Sequence, residues 1–217
     1  MARDLDLRLY LVTDRTLAGS RGVFETVQAA VAGGVTLVQV RSPEATGRDF
    51  VEEARGLKAL LHPLGIPLII NDRVDVALAC DADGVHLGQS DIEPLAARAM
   101  LGPDKIIGLS VGSPAEWQAS QHQLGAVDYI GTGPLFGTTT KLDAGKAIGP
   151  DGLAAMVGLS HLPVVAIGGI GAANAASVMA VRPAGIAVVS AIMAAVDPAA
   201  AARQLHEIVD VATGHPA

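Results

Sequence analysis

Gln39, Val40 and Arg41 alternate along a short apolar run, so Gln39 and Arg41 project to the same side of it. An arginine held inside a fold needs an anion, and its planar fork matches phosphate oxygens. An internal ion pair, for instance with Asp72, would meet the same need, and the motif alone does not choose between the two. Asp72 and Asp91 each sit just past an apolar run, on neighbouring units. Two such carboxylates can hold Mg2+, which combines a few carboxylate oxygens with substrate phosphate oxygens and retained waters. Asp14 and Asp91 could equally do no more than cap the helices that follow them.

A second anion-binding pattern lies late in the chain. Ile167-Gly168-Gly169-Ile170-Gly171 leaves an apolar run and enters a helical segment, and Val188-Val189-Ser190 ends the next run. Glycines let backbone approach a ligand closely, and a helix start turns free N–H groups outward. A phosphate site between these two loops is the reading that results, against a plain structural turn. His86 reads as a satisfied core histidine, and no His/Cys group has zinc spacing. Cys80 closes a helical segment without a paired histidine and reads as inert packing.

These residues need a scaffold that delivers them to one place. Brief, mostly β-branched runs at 9–13, 36–41, 67–71, 84–87, 105–110, 127–131, 163–167 and 185–190 read as buried strands. Segments with helical spacing alternate with them at 24–32, 47–61, 74–79, 94–100, 114–122, 150–157, 173–181 and 198–211, several opening on proline. About eight βα units in 217 residues predict an α/β fold, a single (β/α)8 TIM barrel over residues 1–217. An open doubly wound sheet would usually carry a glycine fingerprint after its first strand, and Thr13-Asp14-Arg15 is not one. Active sites of barrels sit where the strands end. Asp14, Gln39 and Arg41, Asn71 to Arg73, Gln89 to Asp91, Ser110, Thr138 to Lys141, Gly168-Gly169 and Ser190 all fall at those ends. Residues 132–149 form the longest irregular stretch, and a loop of that length in a compact domain is more often functional than accidental.

Composition narrows the partners. Hydrophobic residues make up 50% and aromatics only 3%, so the core must be aliphatic, as parallel strands buried on both faces require. A formal net charge of -7 argues against a broad nucleic-acid surface while leaving room for a small anionic ligand. The single cysteine fits a reducing compartment, no apolar run has the length of a signal or a membrane span, and a cytoplasmic location is expected.

With these residues in place, the chain resembles the thiamine phosphate synthase family over nearly its whole length. The segments that carry the resemblance are LYLVTD at 9–14, VQVR at 38–41, IND at 70–72, DGVHLGQSD at 83–91, GLS at 108–110, GPLFGTTTK at 133–141, AIGGI at 166–170 and VVSAI at 188–192. The resemblance implies a transferase that joins 4-amino-2-methyl-5-hydroxymethylpyrimidine diphosphate to 4-methyl-5-hydroxyethylthiazole phosphate, releasing diphosphate with the help of Mg2+. It implies that Gln39, Arg41, Asn71, Ser110 and Lys141 contact the pyrimidine diphosphate, with Arg41, Ser110 and Lys141 serving the chemical step. Asp72 and Asp91 would hold Mg2+. Thr138, Thr140, the backbone at Gly169, and Val189 with Ser190 would hold the thiazole phosphate.

The chain departs from the family at one position. The family pattern Gln-x-Arg-x-Lys reads Gln39-Val40-Arg41-Ser42-Pro43 here, so a cation is missing. Lys146 or Arg48 could replace it. A thiazole tautomerase of the same barrel family, a sugar-phosphate isomerase or epimerase on a related barrel, and a non-catalytic thiamine-precursor binding protein are the alternatives. Asp72, Asp91 and Lys141 together favour the synthase. The expected partners are the two small-molecule substrates; a homo-oligomer is compatible with the sequence but not read from it.

Overall fold

The structure, a computed structural model, describes residues 5–137 and 145–214. Eight strands, β1 (Leu9–Val12), β2 (Leu37–Val40), β3 (Leu68–Asn71), β4 (Gly84–Leu87), β5 (Ile106–Ser110), β6 (Tyr129–Thr132), β7 (Val164–Ile167) and β8 (Gly185–Val188), close into a barrel in chain order. Each strand pairs in parallel with the next, and β8 returns to β1 through Leu9–Ile186 and Leu11–Val188. The expected (β/α)8 barrel is therefore the observed fold.

Why these strands close is visible in their period of two. Leu9, Leu11, Val38, Val40, Leu68, Ile70, Val85, Leu87, Ile107 and Leu109 face outward and are buried with the helices. Tyr10, Val12, Leu37, Ile69, Tyr129, Val165 and Ala187 face inward and form a separate packed cluster. Buried side chains, mostly aliphatic but with Tyr10 and Tyr129 on the inner face, thus fill both faces, which is what an all-parallel barrel needs.

The outer layer is built from α2 (Gly22–Ala32), α3 (Gly47–Leu61), α4 (Val74–Cys80), α5 (Pro94–Leu101), α6 (Pro114–Ser120), α7 (Gly149–Leu159), α8 (Ala175–Met179) and α10 (Pro198–Thr213). Proline opens α5, α6 and α10, where its missing N–H costs nothing. Thr46, Ser113 and Asp197 cap α3, α6 and α10 by accepting from the third backbone N–H beyond them. Two short helices depart from the sequence reading. One, α1 (Arg15–Ala18), begins directly after β1, with Asp14 as its cap accepting from Leu17 at 2.9 Å. The other, α9 (Ser190–Met193), takes up Ser190, which the apolar run had suggested was the last residue of β8. The run is continuous in hydrophobicity, but Val189 leaves extended geometry at φ -117, ψ -83.

Among the described residues no helix is long and apolar enough to cross a membrane. Cys80 ends α4 as a buried free thiol, and burial pushes its pKa up, which suits packing rather than reactivity.

Candidate active site at the strand ends

One cavity of about 610 Å3 opens at the C-terminal ends of the strands. Nine of the residues expected from the sequence line it: Gln39, Arg41, Asn71, Asp72, Asp91, Ser110, Gly169, Val189 and Ser190. Thr138, Thr140 and Lys141 lie outside the described residues. Asp14 is not among the lining residues, and its capping bond to α1 accounts for it.

Strand phase delivers the first group. On β2 the inward positions are Leu37 and Gln39, and the next inward position, just past the strand, is Arg41. The backbone N–H of Arg41 donates to Thr13 Oγ1 at 3.1 Å, tying the end of β2 to that of β1. Among the described residues no carboxylate lies within salt-bridge distance of the Arg41 guanidinium. The internal pair with Asp72 is not formed, so the guanidinium faces the cavity with its fork available for an anion.

Asp72 follows β3 in left-handed backbone, φ 62. Asp and Asn tolerate that region better than most residues, and such conformations gather at functional sites. The turn is held by Asp72 N–H donating to the His86 carbonyl at 2.9 Å, and Asn71 Nδ2 donates to Asp72 Oδ2 at 2.6 Å. Asp91 does not cap α5, whose cap position is Glu93; instead its Oδ2 accepts from Gly88 N–H at 2.7 Å, which folds the β4 loop back toward the cavity. Both carboxylates therefore line the same cavity from neighbouring loops. They are hard oxygen donors, and Mg2+ would draw the rest of its shell from substrate oxygens and water. No group of three or more His, Cys, Asp or Glu side chains that could hold a metal ion gathers among the described residues.

The second group comes from the opposite arc of the barrel. Gly168 and Gly169 have φ of 103 and 66. Asn174 staples this turn: its Oδ1 accepts from Gly171 N–H and its Nδ2 donates to the Gly169 carbonyl, both at 2.9 Å. A Cβ on Gly169 would press on Phe136 Cβ at 2.8 Å and on the Gly137 carbonyl oxygen at 3.0 Å. Leu135 and Phe136 reach this loop by donating to the Ile167 and Gly168 carbonyls at 2.9 and 3.0 Å. The long β6–α7 connection, running from Gly133 to Ile148, is thus anchored beside the glycine turn.

The cavity floor holds groups the sequence reading did not assign. Gln39 Nε2 donates to Tyr10 Oη at 2.6 Å, and Tyr10 Oη bonds Tyr129 Oη at 2.8 Å. Tyr129 Oη bonds His86 Nδ1, and His86 Nε2 bonds Ser110 Oγ, each at 3.0 Å. His86 is therefore satisfied, as expected, but it also lines the cavity. Burial holds both phenols above the ordinary tyrosine pKa, so both are neutral hydroxyls. A signal for them existed: the chain has two tyrosines, and both fall on barrel strands.

Neither Lys146 nor Arg48 lines the cavity. A side cavity of about 250 Å3 shares Arg41, Pro43, Asn71 and Asp72 with the main one and adds Arg73. Arg73 makes a two-pronged contact with Asp75 at 2.7 and 2.5 Å, with both side chains exposed.

The chain is also similar to known proteins. A family model described as thiamine monophosphate synthase matches residues 9–192. The thiamine-phosphate synthase of Azorhizobium caulinodans is 60% identical over 210 residues, 97% of this chain and 98% of that one. That of Xanthobacter autotrophicus is 59% identical over 96% of this chain and 98% of its own. Among solved structures, thiamine phosphate pyrophosphorylase from Pyrococcus furiosus superposes with a TM-score of 0.86 at 38% identity, covering 96% of this chain and 98% of that one. The 3-hexulose-6-phosphate synthase of Salmonella typhimurium reaches a TM-score of 0.71 at 18% identity over 96% of this chain and all of that one, a likeness of fold alone.

Proposed function

The chain belongs to the thiamine monophosphate synthase family, and from that premise we propose that it condenses 4-amino-2-methyl-5-hydroxymethylpyrimidine diphosphate with 4-methyl-5-hydroxyethylthiazole phosphate to give thiamine phosphate and diphosphate. The observation that carries this reading is one cavity with two differently equipped arcs. Arg41, Asn71, Asp72 and Asp91 stand on the β2–β4 side, and Gly169, Val189 and Ser190 on the β7–β8 side. A diphosphate ester and a phosphate monoester can thus be held apart with their reacting ends between them. A thiazole tautomerase would need the second arc but not the two carboxylates, and a binding protein would need no arrangement for a leaving group.

The chemistry requires orientation and leaving-group stabilisation more than a strong base. The thiazole nitrogen has no proton to lose as it bonds to the pyrimidine methylene carbon. The bond between that carbon and the diphosphate oxygen breaks, and the electron pair leaves with diphosphate. An electron-rich aminopyrimidine stabilises positive charge on the methylene, which favours a dissociative path. Arg41 meets the charge that grows on the departing group, and Lys141 from the β6–α7 connection has the same role. Asp72 and Asp91 would hold Mg2+, whose part is to neutralise diphosphate oxygens. Gln39 and Ser110 orient the pyrimidine, Asn71 supports the Asp72 turn, and Thr138 and Thr140 join the thiazole phosphate contacts.

Arg73 is the reading's replacement for the cation absent at Pro43, because it borders the same side cavity as Pro43 and Arg41. Its ion pair with Asp75 is exposed and contributes at most about 1 kcal/mol, so diphosphate can draw it away. A cytoplasmic location belongs to the same proposal and rests on the lone, buried cysteine, which forms no intrachain disulfide. The deciding experiment is a turnover assay with both precursors and Mg2+. Thiamine phosphate and diphosphate appearing in equal amounts is the expected result; precursor binding without product would leave the binding-protein reading in its place.

A further inference from the structure

We propose that Tyr10, Tyr129 and His86 are positioning residues: they form a one-way hydrogen-bonded relay that starts at the Gln39 amide and fixes the Ser110 hydroxyl as a donor into the cavity. This rests on the proposed role of Gln39 and Ser110 at the pyrimidine.

The polarity follows link by link. The Gln39 Nε2 amide can only donate, so Tyr10 Oη accepts from it at 2.6 Å. The 2.8 Å contact between Tyr10 Oη and Tyr129 Oη admits a donor on either side; the relay assigns it to Tyr10, whose oxygen already accepts from Gln39. Tyr129, accepting from Tyr10, is then assigned as the donor to His86 Nδ1, 3.0 Å away. A neutral imidazole that accepts at Nδ1 carries its proton on Nε2. His86 Nε2–H therefore donates to Ser110 Oγ at 3.0 Å, and the Ser110 proton is released toward the ligand. Burial keeps both phenols protonated, so neither can break the sequence by ionising near neutral pH. At the other end, engaging the amide nitrogen of Gln39 turns its Oε1 into the group left for a ligand. The floor so ordered presents an acceptor at Gln39 and a donor at Ser110. An aminopyrimidine offers the matching amino donor and ring-nitrogen acceptor.

The backbone is shaped around this relay. Gly108 on β5 is the register partner of both His86 on β4 and Tyr129 on β6. A Cβ there would overlap Tyr129 Cζ and Oη and His86 Nδ1. Gly131, the register partner of Ser110, would likewise press a Cβ on His86 Cε1 at 3.0 Å. Two inward positions are left without side chains, and the relay fills them.

Two measurements test the proposal. In protein labelled with 15N-histidine, His86 (assigned by its loss in His86→Asn) is expected as the Nε2–H tautomer, with Nδ1 shifted by an accepted hydrogen bond. Tyr129→Phe, which keeps the ring and removes the donor, should move Nδ1 to the unbonded value. An Nδ1–H tautomer in the unaltered protein, or an Nδ1 signal indifferent to Tyr129→Phe, overturns the relay. The second measurement is a double-mutant cycle on pyrimidine diphosphate affinity by calorimetry. Tyr129→Phe alone should weaken binding about five- to tenfold, the size of one hydrogen bond. In a Ser110→Ala background it should have almost no further effect, because its influence passes through that hydroxyl. Additive losses overturn it, since a purely structural tyrosine would weaken both backgrounds alike. If Tyr129→Phe does not fold, Tyr10→Phe replaces it in the cycle with the same two outcomes. Should the unaltered protein bind neither precursor, the synthase reading falls while the nitrogen spectra still decide the relay.

Discussion

His86 on β4 and Tyr129 on β6 meet at 3.0 Å although β5 runs between their strands. They can meet because the β5 residue level with both is Gly108. Their rings lie with centroids 5.5 Å apart and planes inclined by 34°, filling the volume that a side chain on β5 would take. The barrel interior here is a polar floor made by omitting atoms from one strand.

That relationship makes Gly108→Ala informative. One methyl group in a packed interior normally costs about 1–3 kcal/mol through forced displacement. For a chain of this size, that lowers Tm by roughly 2–4 °C per kcal/mol. Thermal unfolding should register the loss, and calorimetry should find pyrimidine diphosphate binding weakened more than thiazole phosphate binding. Unchanged stability and affinity would mean the two rings do not occupy the space beside Gly108.

The carboxylates at Asp72 and Asp91 are best tested with asparagine. Asparagine tolerates the left-handed backbone that Asp72 adopts at φ 62, so Asp72→Asn removes charge without adding strain. Alanine at the same position would confound the two effects. Asp72→Asn and Asp91→Asn should each lower kcat by about a hundredfold or more, with melting curves near those of the unaltered protein. Excess chelator should abolish turnover and added Mg2+ restore it. Full turnover in metal-free buffer would remove Mg2+ from the reaction.

Burial raises the pKa of Tyr10 and, even more clearly, of Tyr129. The folded protein therefore keeps these protons at a pH where the unfolded chain has begun to lose them. Their contribution to stability is fully present below the unfolded value of 10.0 and is lost as pH rises through the higher folded values. Denaturation midpoints should fall from about pH 10 upward. Tyr129→Phe should be less stable at neutral pH yet show a shallower alkaline decline. Equal slopes in the two proteins would show that other groups govern the decline.

How much of this was legible in the sequence depends on the kind of signal. The barrel was readable because each strand is an apolar run with a polar residue at one end. Gln39 and Arg41 were readable as cavity-facing because strand alternation is local, and Asn71 and Asp72 because they fall at the end of an apolar run. Helix α9 was not, since Val188-Val189-Ser190 continues the hydrophobicity of β8 while the backbone turns at Val189. The relay was not, because it joins β1, β2, β4, β5 and β6, and its condition is the absence of a side chain at Gly108. Asn174 was not singled out in the sequence, because its two bonds to the Gly169 turn exist only once the loop is folded.

The proposed thiazole phosphate arc calls for a substitution that leaves the glycine turn alone. Gly169→Val would add a side chain at φ 66 and press on Phe136, so it would damage the loop whatever binds there. Ser190 is exposed at the first position of α9 and lines the cavity. Ser190→Asp places a negative charge where the phosphate is proposed to sit, at a helix start that accepts acidic residues. It should weaken thiazole phosphate binding by tenfold or more, roughly 1.4 kcal/mol, and leave pyrimidine diphosphate binding within about twofold. Isothermal titration with each precursor distinguishes this from equal losses of both, which would place the phosphate elsewhere.

Pro43 is where the chain departs from its family, and Arg73, which does not line the main cavity, borders the same side cavity as Pro43. Proline has neither a side-chain charge nor a backbone N–H to offer a diphosphate. A charge-assisted hydrogen bond contributes about 1.5–3 kcal/mol, so a vacancy there would be felt unless another cation moves in. Arg73 can do so by exchanging an exposed carboxylate, Asp75, for the ligand. Arg73→Gln should then weaken pyrimidine diphosphate binding by about tenfold or more and lower kcat/KM in step, with thiazole phosphate affinity unchanged. Pro43→Lys should tighten diphosphate binding or leave it unchanged, and in the Arg73→Gln background it should restore most of what was lost. The restoration is the decisive part, because a lysine at residue 43 and an arginine at residue 73 would be supplying the same charge. If Pro43→Lys improves binding equally with and without Arg73, the two positions act independently, and Arg73 does no more than hold Asp75.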